Sequence, residues 1–299
     1  MSGARTRVGR IEELWRYPVK SMGGERVGQG RVVPVHGLEG DRAWAIRDEK
    51  VGEIRGAKKL HSLLQFAARY LEEPAAAGVA RVEITLPDGL RVRSDDEGLD
   101  AKLSAALAQP VSLQARQPAE NLDHYRRREP IAGEADLRAQ LGLLPEEPLP
   151  DMSNWGTELA EFTSPPGTYF DTFELHLLTL TSLATLAEQT PGVEIDARRF
   201  RPNLVVSCPE ASALPEIEWC GGQLEIGSAI LEVVMPMVRC VMTTCAQGGL
   251  ARAPEIMRSL VRETGQDLGV GVRVLEAGEV HVGDDVTLRR PAAGIELRA

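Results

Sequence analysis

The chain has 299 residues, of which 43% are apolar, 26% charged and 4% aromatic, an ordinary globular composition long enough for two domains or one large one. Its 34 basic and 44 acidic residues give a formal charge of −10. A general nucleic-acid binder needs a net basic face to release counterions, so that class is disfavoured, although a local basic pocket for a phosphate is not.

No apolar run approaches the roughly 20 residues that span a bilayer. The first ten residues, MSGARTRVGR, lack the apolar stretch of a secretory signal. The four cysteines, Cys208, Cys220, Cys240 and Cys245, are too few for a disulfide scaffold. Reduced thiols and a cytoplasmic location are expected, with neither nucleic acid nor membrane as partner.

Strand patterns lead the chain, at 8–17, 26–36 and 43–47. Residues 60–70 carry apolar side chains at Leu60, Leu63, Leu64 and Ala67, a helical spacing. Strands at 81–86 and 90–93 flank Pro87-Asp88-Gly89, a hairpin signal. A short helix is expected at 100–108. Prolines punctuate 117–168, which reads as loop with one helix at 134–141. Thr181 is expected to cap a helix over 182–189, stopped by Pro191-Gly192. Residues 204–207 form a buried-type strand, and 223–226 with 230–235 a hairpin around Gly227-Ser228. A helix over 254–263 opens on Pro254 and stops at Gly265. Strands at 272–275, 279–282 and 285–288 close the chain. The fold class is α+β and mainly β: two β-barrel-like domains with peripheral helices. The division is placed at 1–125 and 126–299, with 126–168 partly linker.

No nucleotide-binding glycine loop, serine-nucleophile elbow or H-E-x-x-H motif is present. The five histidines are scattered and read as solvated or core imidazoles. The cysteines form no C-x-x-C pair, which disfavours structural zinc. Two segments stand out. Lys20-Ser21, just past a strand and before Gly23-Gly24, offers an ammonium, a hydroxyl and backbone N–H groups to an anion. On spacing alone, a plain turn with a surface lysine is the simpler reading. Arg239-Cys240 leaves a Met-rich apolar strand. A thiolate held there by cations would be a nucleophile or a soft metal ligand; an inert buried thiol is the alternative.

Taken in order, these segments resemble the MOSC family, the molybdenum cofactor sulfurase C-terminal type. Tyr17-Pro18-Val19-Lys20-Ser21 and Gly40-Asp41-Arg42-Ala43-Trp44 look like its N-terminal β-barrel domain, with Arg55 as a following arginine. Leu175-His176-Leu177-Leu178-Thr179 looks like the entry to the MOSC domain proper. Phe200-Arg201-Pro202-Asn203, Arg239-Cys240 with Thr243-Thr244, and Val282-Gly283-Asp284 match later elements. The resemblance runs over roughly residues 8–290, and within the family it is to the mitochondrial amidoxime-reducing component and its bacterial counterparts.

That resemblance implies a molybdenum cofactor, Mo-molybdopterin, with Cys240 as metal ligand and catalytic centre. It implies that Lys20, Ser21, Arg42, Arg55, Arg201, Asn203, Arg239 and Thr243 bind the cofactor. The implied reaction is reduction of an N-hydroxylated small molecule. With no flavin, haem or iron–sulfur motif of its own, the chain is expected to need an external electron donor, of ferredoxin or cytochrome/flavin type. Two departures bear on substrate: Val238 replaces a serine of the mitochondrial relatives, and Cys245-Ala246-Gln247 replaces a Val-Asp-Pro stretch. Two rival roles stay open. One is a sulfur carrier or sulfurtransferase with a persulfide on Cys240 and Cys245 as resolving thiol. Some relatives fuse this domain to a pyridoxal-phosphate sulfurase; this chain is not expected to bind pyridoxal phosphate. The other is a delivery protein that binds the pterin without turnover.

Overall fold

The computed structural model describes residues 5–74, 79–151, 158–208 and 212–290. The outermost residues of the two expected domains, 1–4 and 291–299, lie outside the described residues.

Seven strands close into a barrel. They are β1 (Arg5–Arg16), β2 (Leu175–Thr179), β3 (Leu204–Ser207), β4 (Gln223–Ile226), β5 (Ala229–Val238), β6 (Asp267–Glu276) and β7 (Asp285–Arg289). The order is β3-β2-β6-β5-β4-β7-β1, and β1 pairs back onto β3. Closure leaves no free edge among these strands. Side chains that alternate along the strands fill the interior, among them Ile11, Leu14, Leu177, Val206, Leu231, Val233, Val270 and Val272. Each apolar side chain so buried contributes about 1.5–3 kcal/mol. The one parallel pair in the barrel, β2 with β3, is joined through helix α1 (Leu180–Gln189). All five residues of β2 are buried, as a parallel strand covered on both faces requires.

The expectation of a mainly β fold with few helices is borne out. The first strand of the chain, however, belongs to the barrel built from its last 125 residues. Gly278–His281 likewise pairs with Gln29–Val33. The hydrogen bonding therefore crosses the division at residue 125. The rest of the N-terminal part is built from three-stranded sheets, with bridges Val19–Trp44 and Gly23–Ala67 reaching them from the segment after β1. One joins Val111–Ala115, Trp44–Asp48 and Glu53–Arg55; another joins Ala67–Tyr70, Val82–Thr85 and Arg91–Arg93. They enclose a second core with Met22, Ile46, Leu63, Phe66, Ile84 and Leu103.

Two local expectations are corrected. The helix expected over 60–70 is a short 3-10 turn, His61–Gln65, followed by strand Ala67–Tyr70. Pairing to the 82–93 hairpin, with Ala68 and Tyr70 turned inward, outweighs the helical period. The cap of α1 is Thr179 rather than Thr181: its hydroxyl accepts from the Ser182 N–H at 3.1 Å. Helix α2 (Glu255–Thr264) starts after Pro254 and ends at Gly265, as expected.

Under α1 lies a buried acid. Glu216 is fully buried, its Oε2 accepts from the Thr179 and Ser182 hydroxyls at 2.7 Å each, and its Oε1 has no partner. Burial pushes its carboxyl up from the usual range. The folded state thus binds the proton more tightly than the unfolded chain. Stability contributed by the protonated form is present at low pH. It is lost as pH rises from the unfolded value near ~4.3 through the raised folded value. Glu216→Gln is therefore expected to flatten the fall in Tm with rising pH. Melting curves of parent and variant between mildly acidic and alkaline buffers check this; parallel pH profiles would refute it.

Candidate functional site

The motif segments converge because the end of β1 is tied to two other loops. The Tyr17 N–H donates to Asp41 Oδ1 at 2.7 Å, and the Arg42 N–H donates to Tyr17 O at 2.7 Å. The Tyr17 hydroxyl donates to Pro202 O at 3.1 Å. The first two motifs thereby stand beside the Phe200–Asn203 loop. The Arg239–Thr244 segment leaves β5 opposite them, and Met242 packs into the N-terminal core. Between them lies a cleft with about 660 Å³ of empty space, open solvent at its mouth included.

Eight of the nine expected site residues line it: Lys20, Ser21, Arg42, Arg201, Asn203, Arg239, Cys240 and Thr243. Arg55 does not. Its guanidinium is buried among Asp48, Glu53 and Glu129, at 3.2, 2.6 and 2.8 Å. It is a structural cation of the first sheet.

The lining residues divide by what their polar atoms already do. Asn203 gives its amide to backbone, accepting from the His176 N–H at 3.1 Å and donating to Trp15 O at 3.2 Å. Ser21 Oγ accepts from the Ala57 N–H at 2.9 Å, and the Thr243 hydroxyl donates to Cys240 O at 3.0 Å. These three shape the walls. Arg42 pairs with Asp41 and lies over the Tyr17 and Phe170 rings.

Arg201 and Arg239 differ. Arg201, 8% exposed, donates through Nη1 to Met22 O and stacks 4.2 Å from the Tyr17 ring centroid. Its Nη2 is buried without a partner. Arg239, 9% exposed, donates through Nη2 to Phe200 O at 2.7 Å, and its Nε is buried without a partner. An unpaired buried donor on a cation is costly, on the order of 1–3 kcal/mol or more. Both donors belong to residues that line the cleft, and a polar ligand would satisfy them. Burial, with Arg42 close by, lowers Arg201 to about 10, and burial lowers Arg239 too. An anionic ligand would relieve that strain.

The backbone is strained at the same place. Ser21, Arg42 and Arg201 all have positive φ (68°, 48° and 56°), a conformation uncommon outside glycine. Such outliers concentrate where function over-determines the chain.

Sequence reasoning missed three contributors. His176 was grouped with the bland histidines; its buried ring sits in the cleft wall, with Nε2 3.3 Å from Arg239 Nη1. Burial, then Arg239, hold it well below its usual range, so it is a neutral acceptor for that guanidinium. Gly269 makes the room: a Cβ there would lie 2.2 Å from His176 Nε2. Asp171 and Lys58 are the others. Asp171 Oδ1 lies 2.5 Å from Lys20 Nζ and Oδ2 3.6 Å from Lys58 Nζ. A carboxylate just ahead of a fully buried strand was the available signal.

The thiols separate clearly. Burial pushes Cys208 up to about 12 and Cys220 to about 11. Cys245 is raised by burial and by Cys240. Cys240 alone of the four lines the cleft, following Arg239 in the chain. Among the described residues, no three His, Cys, Asp or Glu side chains converge as a metal set. No helix among them is long and apolar enough to cross a membrane.

Two family models match the chain: the MOSC N-terminal beta barrel domain over residues 8–127 and the MOSC domain over 166–287. The comparison with curated proteins gives no match. Among solved structures, the YUAD protein from Bacillus subtilis is similar at 12% identity, over 97% of this chain and 100% of that one, with a TM-score of 0.43. YiiM from Geobacillus stearothermophilus is 19% identical over 41% of this chain and 57% of its own, with a TM-score of 0.31. YiiM from Escherichia coli is 18% identical over 41% and 57%, with a TM-score of 0.31. The matched part of this chain thus spans just over half the length of either YiiM protein.

Proposed function

The chain belongs to the MOSC family, whose domains occur in molybdenum cofactor sulfurase-like proteins, and on that premise we propose that it binds a molybdenum cofactor and reduces N-hydroxylated small molecules. One observation carries the reading. The cleft brings the Cys240 thiol together with two arginines, each of which keeps one buried N–H donor without a partner, Nη2 of Arg201 and Nε of Arg239.

The residues present fit such a group. A pterin has polar edges and an anionic phosphate end, and both need donors once buried. Arg201 Nη2 and Arg239 Nε are donors in want of acceptors. Arg42 and Lys20 add positive charge along the same wall. The described residues hold no cluster of three ligands, and a metal already held by a pterin would need fewer from the protein. Cys240 would then supply a single soft sulfur ligand. When bound, the cofactor supplies two-electron oxygen-atom chemistry. The protein's part is orientation, charge and exclusion of water. His176 holds Arg239 in place and stays neutral, so it is not a proton donor at neutral pH. The apolar side chains Phe173, Leu175, Met237 and Met242 line the remaining wall and would face the organic part of a substrate.

The test is protein made in a molybdate-replete host. Molybdenum and pterin near one per chain, with reduction of a benzamidoxime-type compound by a chemical electron donor, support the reading. Metal-free protein carrying labile sulfane sulfur supports the sulfur carrier instead. Pterin bound tightly without turnover supports a delivery role.

Arg201→Lys keeps the charge and deletes the Nη2 donor. It is expected to weaken pterin retention tenfold or more, the scale of about 1.5–3 kcal/mol for a charge-assisted bond. Arg42→Ala should act in the same direction. Pterin dissociation rates on parent and variants check both; parental retention in both would place the cofactor elsewhere.

A further inference from the structure

We propose that Asp171 is an internal stand-in for the ligand's anionic end: its carboxylate fills a site between Lys20 and Lys58 and is displaced by a phosphate-type dianion. The proposal rests on the reading above, in that the cleft takes a molecule with a phosphate end.

Lys20 is deeply set, only 5% exposed, and its ammonium has three acceptors. Two belong to the protein framework: Ser164 Oγ at 3.2 Å and Tyr169 O at 2.8 Å. The third is Asp171 Oδ1 at 2.5 Å. The other Asp171 oxygen lies 3.6 Å from Lys58 Nζ. Both carboxylate oxygens therefore face ammonium groups, as two oxygens of a phosphate would. Arg42 adds to the positive field that favours the Asp171 carboxylate.

The two sides of the pair differ in freedom. The Lys20 side chain is 6% exposed and cannot leave. The Asp171 side chain is 45% exposed, so it can turn into water with little desolvation cost. Asp171 is followed by exposed Thr172, so only the mouth of the cleft has to rearrange.

The charge balance gives the reason for such a group. Lys20, Arg42, Arg199, Arg201 and Arg239 line the cleft, whereas Asp171 is the one lining carboxylate among the described residues. A buried ammonium stripped of its counter-charge is strongly unfavourable. Asp171 supplies that charge until a ligand does. A dianion with several acceptor oxygens binds two ammonium groups better than one carboxylate does. A ligand without a dianionic end gains too little to displace Asp171. The exchange therefore selects for phosphorylated ligands and lowers apparent affinity by the fraction of time the site is self-filled.

Inorganic phosphate is the probe, measured by titration calorimetry on the full chain. Asp171→Asn keeps the size of the side chain and removes the competing charge. It is expected to bind phosphate on the order of tenfold tighter than the parent, one charge-assisted bond no longer in competition. The double variant Asp171→Asn, Lys20→Met should lose that gain, which separates local exchange from a general change in net charge. On the parent itself, phosphate should speed amide hydrogen exchange at residues 171–173, since the segment is released. Equal or weaker phosphate binding by Asp171→Asn, or a gain that survives in the double variant, overturns the proposal. If Asp171→Asn does not fold, unchanged exchange at 171–173 on the parent overturns it. Pterin and molybdenum content are read separately. A phosphate gain in protein that takes up no pterin keeps the exchange and sinks the cofactor reading. Pterin uptake without a phosphate gain does the reverse.

Discussion

Cys240→Ser is expected to lose most of its bound molybdenum and its reductase activity, while Cys208→Ser and Cys220→Ser retain both. Position makes the difference. Cys240 lines the cleft, directly after Arg239 in the chain, where a ligand can reach it. Cys208 and Cys220 pack against the barrel core, and burial keeps them protonated, at about 12 and about 11. A protonated, enclosed thiol is neither a ligand nor a nucleophile. Serine at position 240 stays protonated at neutral pH, and its harder oxygen matches the metal less well. The fold should survive, because Cys240 is only partly buried. Metal analysis on the purified variants checks this. Molybdenum content in Cys240→Ser equal to that of the parent would remove Cys240 as the ligand.

The barrel was legible where strands are short and their ends marked. Residues 204–207 and 223–226 coincide with β3 and β4, since apolar runs ending at turn residues leave little choice. The 60–70 segment was misread because its helical spacing is local, whereas its partner hairpin lies over ten residues further on. The interleaving of β1 with the last strands was not legible either. Nothing in 5–16 names its partners, and pairing is decided by which apolar faces meet. The family resemblance pointed to nine candidate residues, and the cleft gathers eight of them. Spacing alone preferred a surface turn for Lys20, yet Lys20 is buried. The resemblance also carried Arg55, whose charge is taken by Asp48, Glu53 and Glu129. Residue type does not show whether a cation's hydrogen bonds are already spent. That distinction, between Arg199 with three backbone acceptors and Arg201 with a bare Nη2, exists only in three dimensions.

Cys245→Val separates reduction from sulfur transfer, and it is expected to keep reduction within a few-fold of the parent. A resolving thiol must reach its partner as thiolate, and attack slows as the thiolate fraction falls. Cys245 is poorly placed for that. Its Sγ donates to Val241 O at 3.3 Å, and it sits just past the 3-10 turn Val241–Thr244. Burial and the nearby Cys240 charge both raise its thiol above the usual range. It packs against the N-terminal core with Cys240, so its role is packing behind the cleft rather than that of a second reactive group. Valine is close in volume and fits a partly apolar site; the stability cost should stay below about 1.5 kcal/mol. Activity should then change little, because Cys245 packs beside Cys240 without lining the cleft. Paired assays decide the matter: reduction with a chemical electron donor, and sulfane sulfur by cyanolysis, on parent and variant. Suppose the molybdenum-loaded parent reduces nothing, carries sulfane sulfur, and transfers it only when Cys245 is present. The sulfur carrier would then replace the reductase, and Cys240 would be its persulfide-bearing residue.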